Sequence, residues 1–126
     1  MNRKVISYGT QDSAIPFSPG IKVGETIYCS GQVGINPQTG ELAGPGIKEQ
    51  TEQVLENLKE ILELAGSSLE KVDKSIVFLT EREDYSGMNE VYRKYFSKDP
   101  PARSTVVVSA LVRPEFKVEI ECIAHL

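Results

Sequence analysis

Between Ile47 and Ala65 the apolar residues Val54, Leu55, Leu58, Ile61, Leu62 and Ala65 return at helical spacing. This predicts an amphipathic helix with one apolar stripe, stopped by Gly66. Such a stripe has to be buried, and the rest of the chain offers strands to bury it against. The last segment alternates strictly. Phe116, Val118, Ile120, Cys122 and Ala124 fall on one face, and Lys117, Glu119, Glu121, Ile123 and His125 on the other. Val72 and Ile76 to Leu79 give a strand over 69–79, and Thr105 to Val108 read as another. Residues 3–7 form a candidate first strand. Ile21–Val23 and Thr26–Ser30 suggest a hairpin turning at Gly24-Glu25. A second helix is expected from about Ser86, with Met88, Val91, Tyr92, Tyr95 and Phe96 along one stripe, ending before Pro100. Its tyrosines are expected in the core rather than as a stacking platform. Residues 9–20 and 31–46 are rich in turn-formers and read as loops, the second long enough to be functional.

The order is strand, hairpin, helix, strand, helix, strand, strand. It predicts an α+β fold, a two-layer sandwich with a mixed sheet and two helices on one face. The 126 residues suffice for one domain, 1–126, with its own core. Two helices cover only one face of such a sheet. The opposite face carries apolar as well as charged residues, and Val107 lies in phase with Arg103 and Thr105 on one face. A face left bare by its own helices commonly packs on another subunit, so an oligomer is expected.

Charge narrows the function. The net charge of −4 gives no footprint for nucleic acid, which usually needs a basic patch. No apolar run approaches membrane-spanning length, and the basic N-terminus turns polar at once, unlike a secretory signal. The expected compartment is the cytoplasm. Cys29 and Cys122 show no CxxC spacing and read as buried free thiols rather than a disulfide or zinc site. The one histidine, His125, sits next to the C-terminus, a poor place for a catalytic triad. Neither a GK[ST] phosphate loop nor a GxSxG elbow occurs.

Three segments place polar groups at strand ends. Arg103 follows Pro100-Pro101-Ala102, where the prolines fix the backbone at the mouth of a strand. A guanidinium held there can grip a carboxylate with both arms. Ser30-Gly31-Gln32 closes the hairpin strand: Gly31 admits close approach to the backbone, and Ser30 offers a hydroxyl and an N–H. An ordinary strand-to-loop turn would read the same way. Glu119 and Glu121 share one side of the last strand, where a solvated face and a water-positioning carboxylate are both open.

Together these segments resemble the RidA/YjgF family, the reactive intermediate (enamine/imine) deaminases. The resemblance runs from about Ile15 to Ala124. It is carried by Pro16-Phe17-Ser18-Pro19-Gly20, Tyr28-Cys29-Ser30-Gly31-Gln32-Val33, Pro37-Gln38-Thr39-Gly40, Gln50-Thr51 with Glu56-Asn57-Leu58, Met88-Asn89 with Tyr92, Pro101-Ala102-Arg103-Ser104 and Val118-Glu119-Ile120-Glu121. These landmarks are singly weak and jointly specific.

The resemblance implies a chorismate-mutase-like fold and a homotrimer with active sites between subunits. It also implies hydrolysis of 2-aminoacrylate and 2-iminobutyrate to 2-keto acids and ammonia, with no cofactor and no metal. On the same ground Arg103 would hold the substrate carboxylate and Glu119 would help position water. Ser30 and Gly31 would contact substrate, Phe17 would cover it, and Thr105 would offer its carbonyl to the water. Three features depart from the family pattern. Phe17 stands where tyrosine is commoner, Thr105 stands where cysteine is common, and the stretch Leu111 to Phe116 is one residue longer. A specialised deaminase of another aminated acid, a non-catalytic trimer that binds 2-keto acids, and an RNA-cleaving protein are the alternatives. The acidic balance speaks against the last.

Overall fold

The computed structural model describes residues 2–8 and 14–126. Part of the loop expected over 9–20 therefore lies outside the described residues. Among the described residues there are six strands: β1 (Arg3–Ile6), β2 (Gly20–Val23), β3 (Thr26–Val33), β4 (Val72–Leu79), β5 (Ala102–Val107) and β6 (Val118–His125). Two helices, α1 (Ile47–Leu64) and α2 (Tyr85–Tyr95), accompany them. The sheet runs β1-β2-β3-β6-β4-β5. All pairings are antiparallel except β4 with β5, because α2 crosses between those two strands and returns the chain parallel. The mixed sheet with its two helices is the sandwich that the pattern predicts.

The α1 stripe meets one sheet face. Val54, Leu55, Leu58, Ile61 and Leu62 are fully buried against Ile27, Val77, Leu79, Val118 and Ile120. The helix ends in a Schellman motif. Ser67 N–H donates to Leu62 O at 2.8 Å and Gly66 N–H to Glu63 O at 3.0 Å, with Gly66 at φ +87°, a conformation glycine adopts without a Cβ penalty. Cys29 and Cys122 are both buried free thiols, as expected, and they face each other directly across β3 and β6.

Two elements differ from expectation. Leu69–Lys71 is a 3₁₀ turn, and β4 begins only at Val72. β3 does not end at Ser30 but continues to Val33, because β6 is long enough to pair with it there. The register shifts between Cys29 and Gln32, so Ser30 and Gly31 form a bulge rather than a strand-to-loop turn.

The loop after β3 is pinned by two buried amides of α1. Asn57 donates to Val33 O at 3.3 Å and to Ile35 O at 2.9 Å. Gln50 donates to Gly44 O and Glu115 O, both at 3.0 Å, and accepts from Lys117 N–H at 2.8 Å. One fully buried side chain thus fastens the loop before α1 and the loop that launches β6.

Candidate active site

The bulge sets the first half of the site. Ser30 N–H donates to Pro19 O at 2.9 Å, and its hydroxyl donates to Ser18 O at 2.6 Å. Both donors that the sequence assigned to a ligand are therefore used to strap the Pro16–Gly20 loop to β3. That strap holds Phe17, which is 54% exposed. Phe17, Pro19, Gly31, Val33 and Ile35 line a mainly apolar cleft of about 220 Å³. Gly31 lies hard against Glu119: a Cβ built on it would collide with Glu119 Oε2. The missing side chain is what lets this carboxylate sit on the strand. Burial, followed by repulsion from Glu121, raises the pKa of Glu119.

The second half lies on the other face. Arg103 pairs with Ser75, and Ser75 with Cys122, so all three point to the helix side. Glu119 pairs with Phe78, in the opposite phase. One chain therefore does not bring Arg103 and Glu119 together, although both belong to one sheet. Thr105 and Val107, in phase with Arg103, also sit on the helix side, across from Val77 and Leu79. The face that α1 and α2 leave uncovered carries Ser104 and Val106 on β5 instead.

Arg103 runs along α2. Its guanidinium carbon lies 4.7 Å from the ring centre of Tyr92 and 5.9 Å from that of Tyr85. Nη1 lies 3.9 Å from Met88 Sδ, and Nη2 donates to the Tyr85 hydroxyl at 3.4 Å. Tyr92 is itself fixed by a 2.7 Å hydrogen bond to Ser75. So Tyr92 is core, as expected, and also a platform, though for a cation rather than a base. The sequence could have shown this slot: Tyr85, Met88 and Tyr92 follow one helix face, and Arg103 pairs beside it.

The surroundings are cationic. A cleft of about 320 Å³ is lined by Asn89, Tyr92, Arg93, Phe96, Pro101 and Arg103, with no acid among the lining residues. Among the described residues no carboxylate lies within ion-pair reach of Arg103. Thr105 Oγ1, two residues along the same face, is buried with no hydrogen-bond partner among them. A buried hydroxyl left in that state costs about 1–3 kcal/mol. An unpaired guanidinium on an aromatic shelf suits an anion with two acceptor oxygens. No cluster of three or more His, Cys, Asp or Glu side chains among the described residues is placed to hold a metal ion. No helix among them is long and apolar enough to cross a membrane.

Comparison with known proteins agrees with the landmarks. A family model described as endoribonuclease L-PSP matches residues 10–126. A 2-iminobutanoate/2-iminopropanoate deaminase of Mus musculus is 45% identical over 97% of this chain and 90% of its own. A RutC family protein of Saccharolobus solfataricus is 50% identical over 87% of this chain and 86% of its own. Among solved structures, RidA from the Antarctic bacterium Psychrobacter superposes with a TM-score of 0.89 at 43% identity, covering 98% of this chain and 99% of its own. The Escherichia coli YjgF gene product gives 0.89 at 36% identity, covering 97% and 98%.

Proposed function

This chain belongs to the endoribonuclease L-PSP family, the family of the RidA/YjgF proteins, and from that premise we propose that it hydrolyses reactive 2-imino acids to 2-keto acids and ammonia. The observation that carries the reading is Arg103, a guanidinium shelved on Tyr92 with no carboxylate partner among the described residues. A 2-imino acid supplies that carboxylate. Its C=N carbon is electrophilic enough for water, given a group to orient the water and take its proton.

Glu119 suits that task. Its raised pKa makes it a stronger base than an ordinary surface carboxylate. It would carry both water protons to the nitrogen in turn: the first as the water oxygen adds to the imine carbon and the C=N π bond opens to an amine, the second, from the new hydroxyl, as C=O forms, the C–N bond breaks and ammonia leaves. Because Arg103 and Glu119 face opposite sides of one sheet, a complete site needs two copies of the chain. We place Arg103 and Thr105 of one copy opposite Phe17, Gly31 and Glu119 of the next in a homotrimer. Ser30 serves this site by holding the Phe17 loop. The bare sheet face, with Tyr28, Val106 and Ile123 exposed, supplies an apolar contact surface.

The test is direct. A pyridoxal-phosphate dehydratase acting on threonine releases 2-iminobutanoate, and keto-acid formation is followed with and without this protein. The expected result is acceleration by wild type, reduced about a thousandfold by Arg103→Ala, the scale of losing two charge-assisted hydrogen bonds. Full activity in Arg103→Ala would sink the assignment. Binding of 2-oxobutanoate without turnover would replace the enzyme with a non-catalytic keto-acid binder. Turnover confined to another aminated acid would replace the substrate.

A further inference from the structure

The Tyr85 hydroxyl is the one side-chain oxygen hydrogen-bonded to the Arg103 guanidinium among the described residues. A guanidinium only donates, so the phenol oxygen accepts from Nη2. With this donor directed at the oxygen, its own proton is left to turn outward. Tyr85 is 46% exposed, and its donor Arg103 lines the 320 Å³ cleft. The Tyr85 O–H thus stands beside the Arg103 guanidinium as a further donor next to its N–H groups. Phe17, on the other half of the site, has no hydroxyl to offer.

We propose that Tyr85 is a substrate-contacting residue whose O–H donates to the anion that Arg103 grips, so that affinity for the carboxylate depends on it. This rests on the reading of Arg103 as the carboxylate anchor. The contact is made in the bound ground state and in the reacting state alike, since the carboxylate is not the reacting group. Its loss therefore raises KM and leaves kcat nearly unchanged.

Tyr85→Phe is the variant, because it keeps the ring beside Arg103 and removes only the O–H. Its affinity for 2-oxobutanoate, measured by calorimetry on the full chain, is expected to fall about tenfold, the scale of one hydrogen bond to a charged group. KM for 2-iminobutanoate is expected to rise by the same factor, with kcat within about twofold. Unchanged affinity, or a fall in kcat at constant KM, overturns the proposal. If Arg103→Ala also binds 2-oxobutanoate as tightly as wild type, the anchor reading itself has failed. Should only Tyr85→Phe be silent, the anchor stands and the contact does not.

Discussion

On β6, Val118, Ile120, Cys122 and Ala124 are at most 3% exposed, whereas Ile123, on the other face of the same strand, is 36% exposed. β3 repeats the contrast: Ile27 and Cys29 are buried, and Tyr28 between them is 48% exposed. One face is closed by its own helices. The other carries Tyr28, Ile76, Phe78, Val106 and Ile123, interrupted by Glu119 and Glu121, and nothing among the described residues covers it. The difference teaches where each kind of work is done. The covered face supplies stability within one copy, and its edge at β5 carries Arg103. The open face holds the carboxylate. A substrate that needs both groups needs two copies, one giving an edge and the other a face.

The largest effect belongs to the covered face. Ile120 is fully buried between α1 and the sheet. Ile120→Ala is expected to cost about 3 kcal/mol of unfolding free energy, within the range for large-to-small core changes. Urea denaturation monitored by circular dichroism measures this, and a cost under about 1 kcal/mol would mean that α1 packs less tightly than described.

On the open face, Glu119→Gln is expected to cut turnover about a hundredfold while doing no harm to the fold. The sign follows from the raised pKa. A folded carboxyl with a raised pKa holds its proton longer than the unfolded one does. The chain thus loses stability as pH climbs from the ordinary carboxyl value to the raised one. Glutamine has no such titration. The stability difference in favour of the variant should be absent in acid, open through that window and stay constant above it. Thermal unfolding across pH would show this, and a variant weaker than wild type at neutral pH would mean that the carboxylate supports the fold instead. Gly31→Ala probes the same carboxylate more gently. The new methyl group would displace the Glu119 oxygens, which a flexible side-chain end can accommodate, so kcat/KM should drop by about tenfold with little loss of stability.

Much of this contrast was legible in the chain. The β6 alternation separated Ile120 from Glu119, and the α1 stripe named the residues that cover one face. What period-two reading did not supply was which face each phase of β5 joins. That strand sits at the sheet edge, where Thr105, Val106 and Val107 alternate without a polar partner to mark the outside. Only the pairing of Ser75 with both Arg103 and Cys122 settles it. The Ser30-Gly31 bulge was also hidden, because a register shift depends on the partner strand, and Ser30 spends its donors on Pro19 and Ser18, eleven and twelve residues upstream. Gln50 and Asn57 stood in the sequence as polar interruptions of a helix. Their partners, the carbonyls of two distant loops, appear only once the chain is folded.

The smallest effect tests what covers the open face. Ile123 lies across from Tyr28 on β3 and is 36% exposed in the single chain. Ile123→Thr keeps a β-branched residue on the strand and removes only apolar surface. In an isolated chain such a surface change stays within about 0.5 kcal/mol. If the face packs against neighbouring copies, the same change exposes a polar hydroxyl to an apolar contact, and the cost rises to about 1 kcal/mol per chain. That cost would scale with assembly, so the wild-type Tm should climb with protein concentration and the Tm of Ile123→Thr should trail it. Sedimentation of both proteins supplies the independent measure, with the variant dissociating at a higher concentration. Concentration-independent melting together with a monomeric wild type would break the comparison at its root, because Arg103 and Glu119 would then have no way to meet on one substrate.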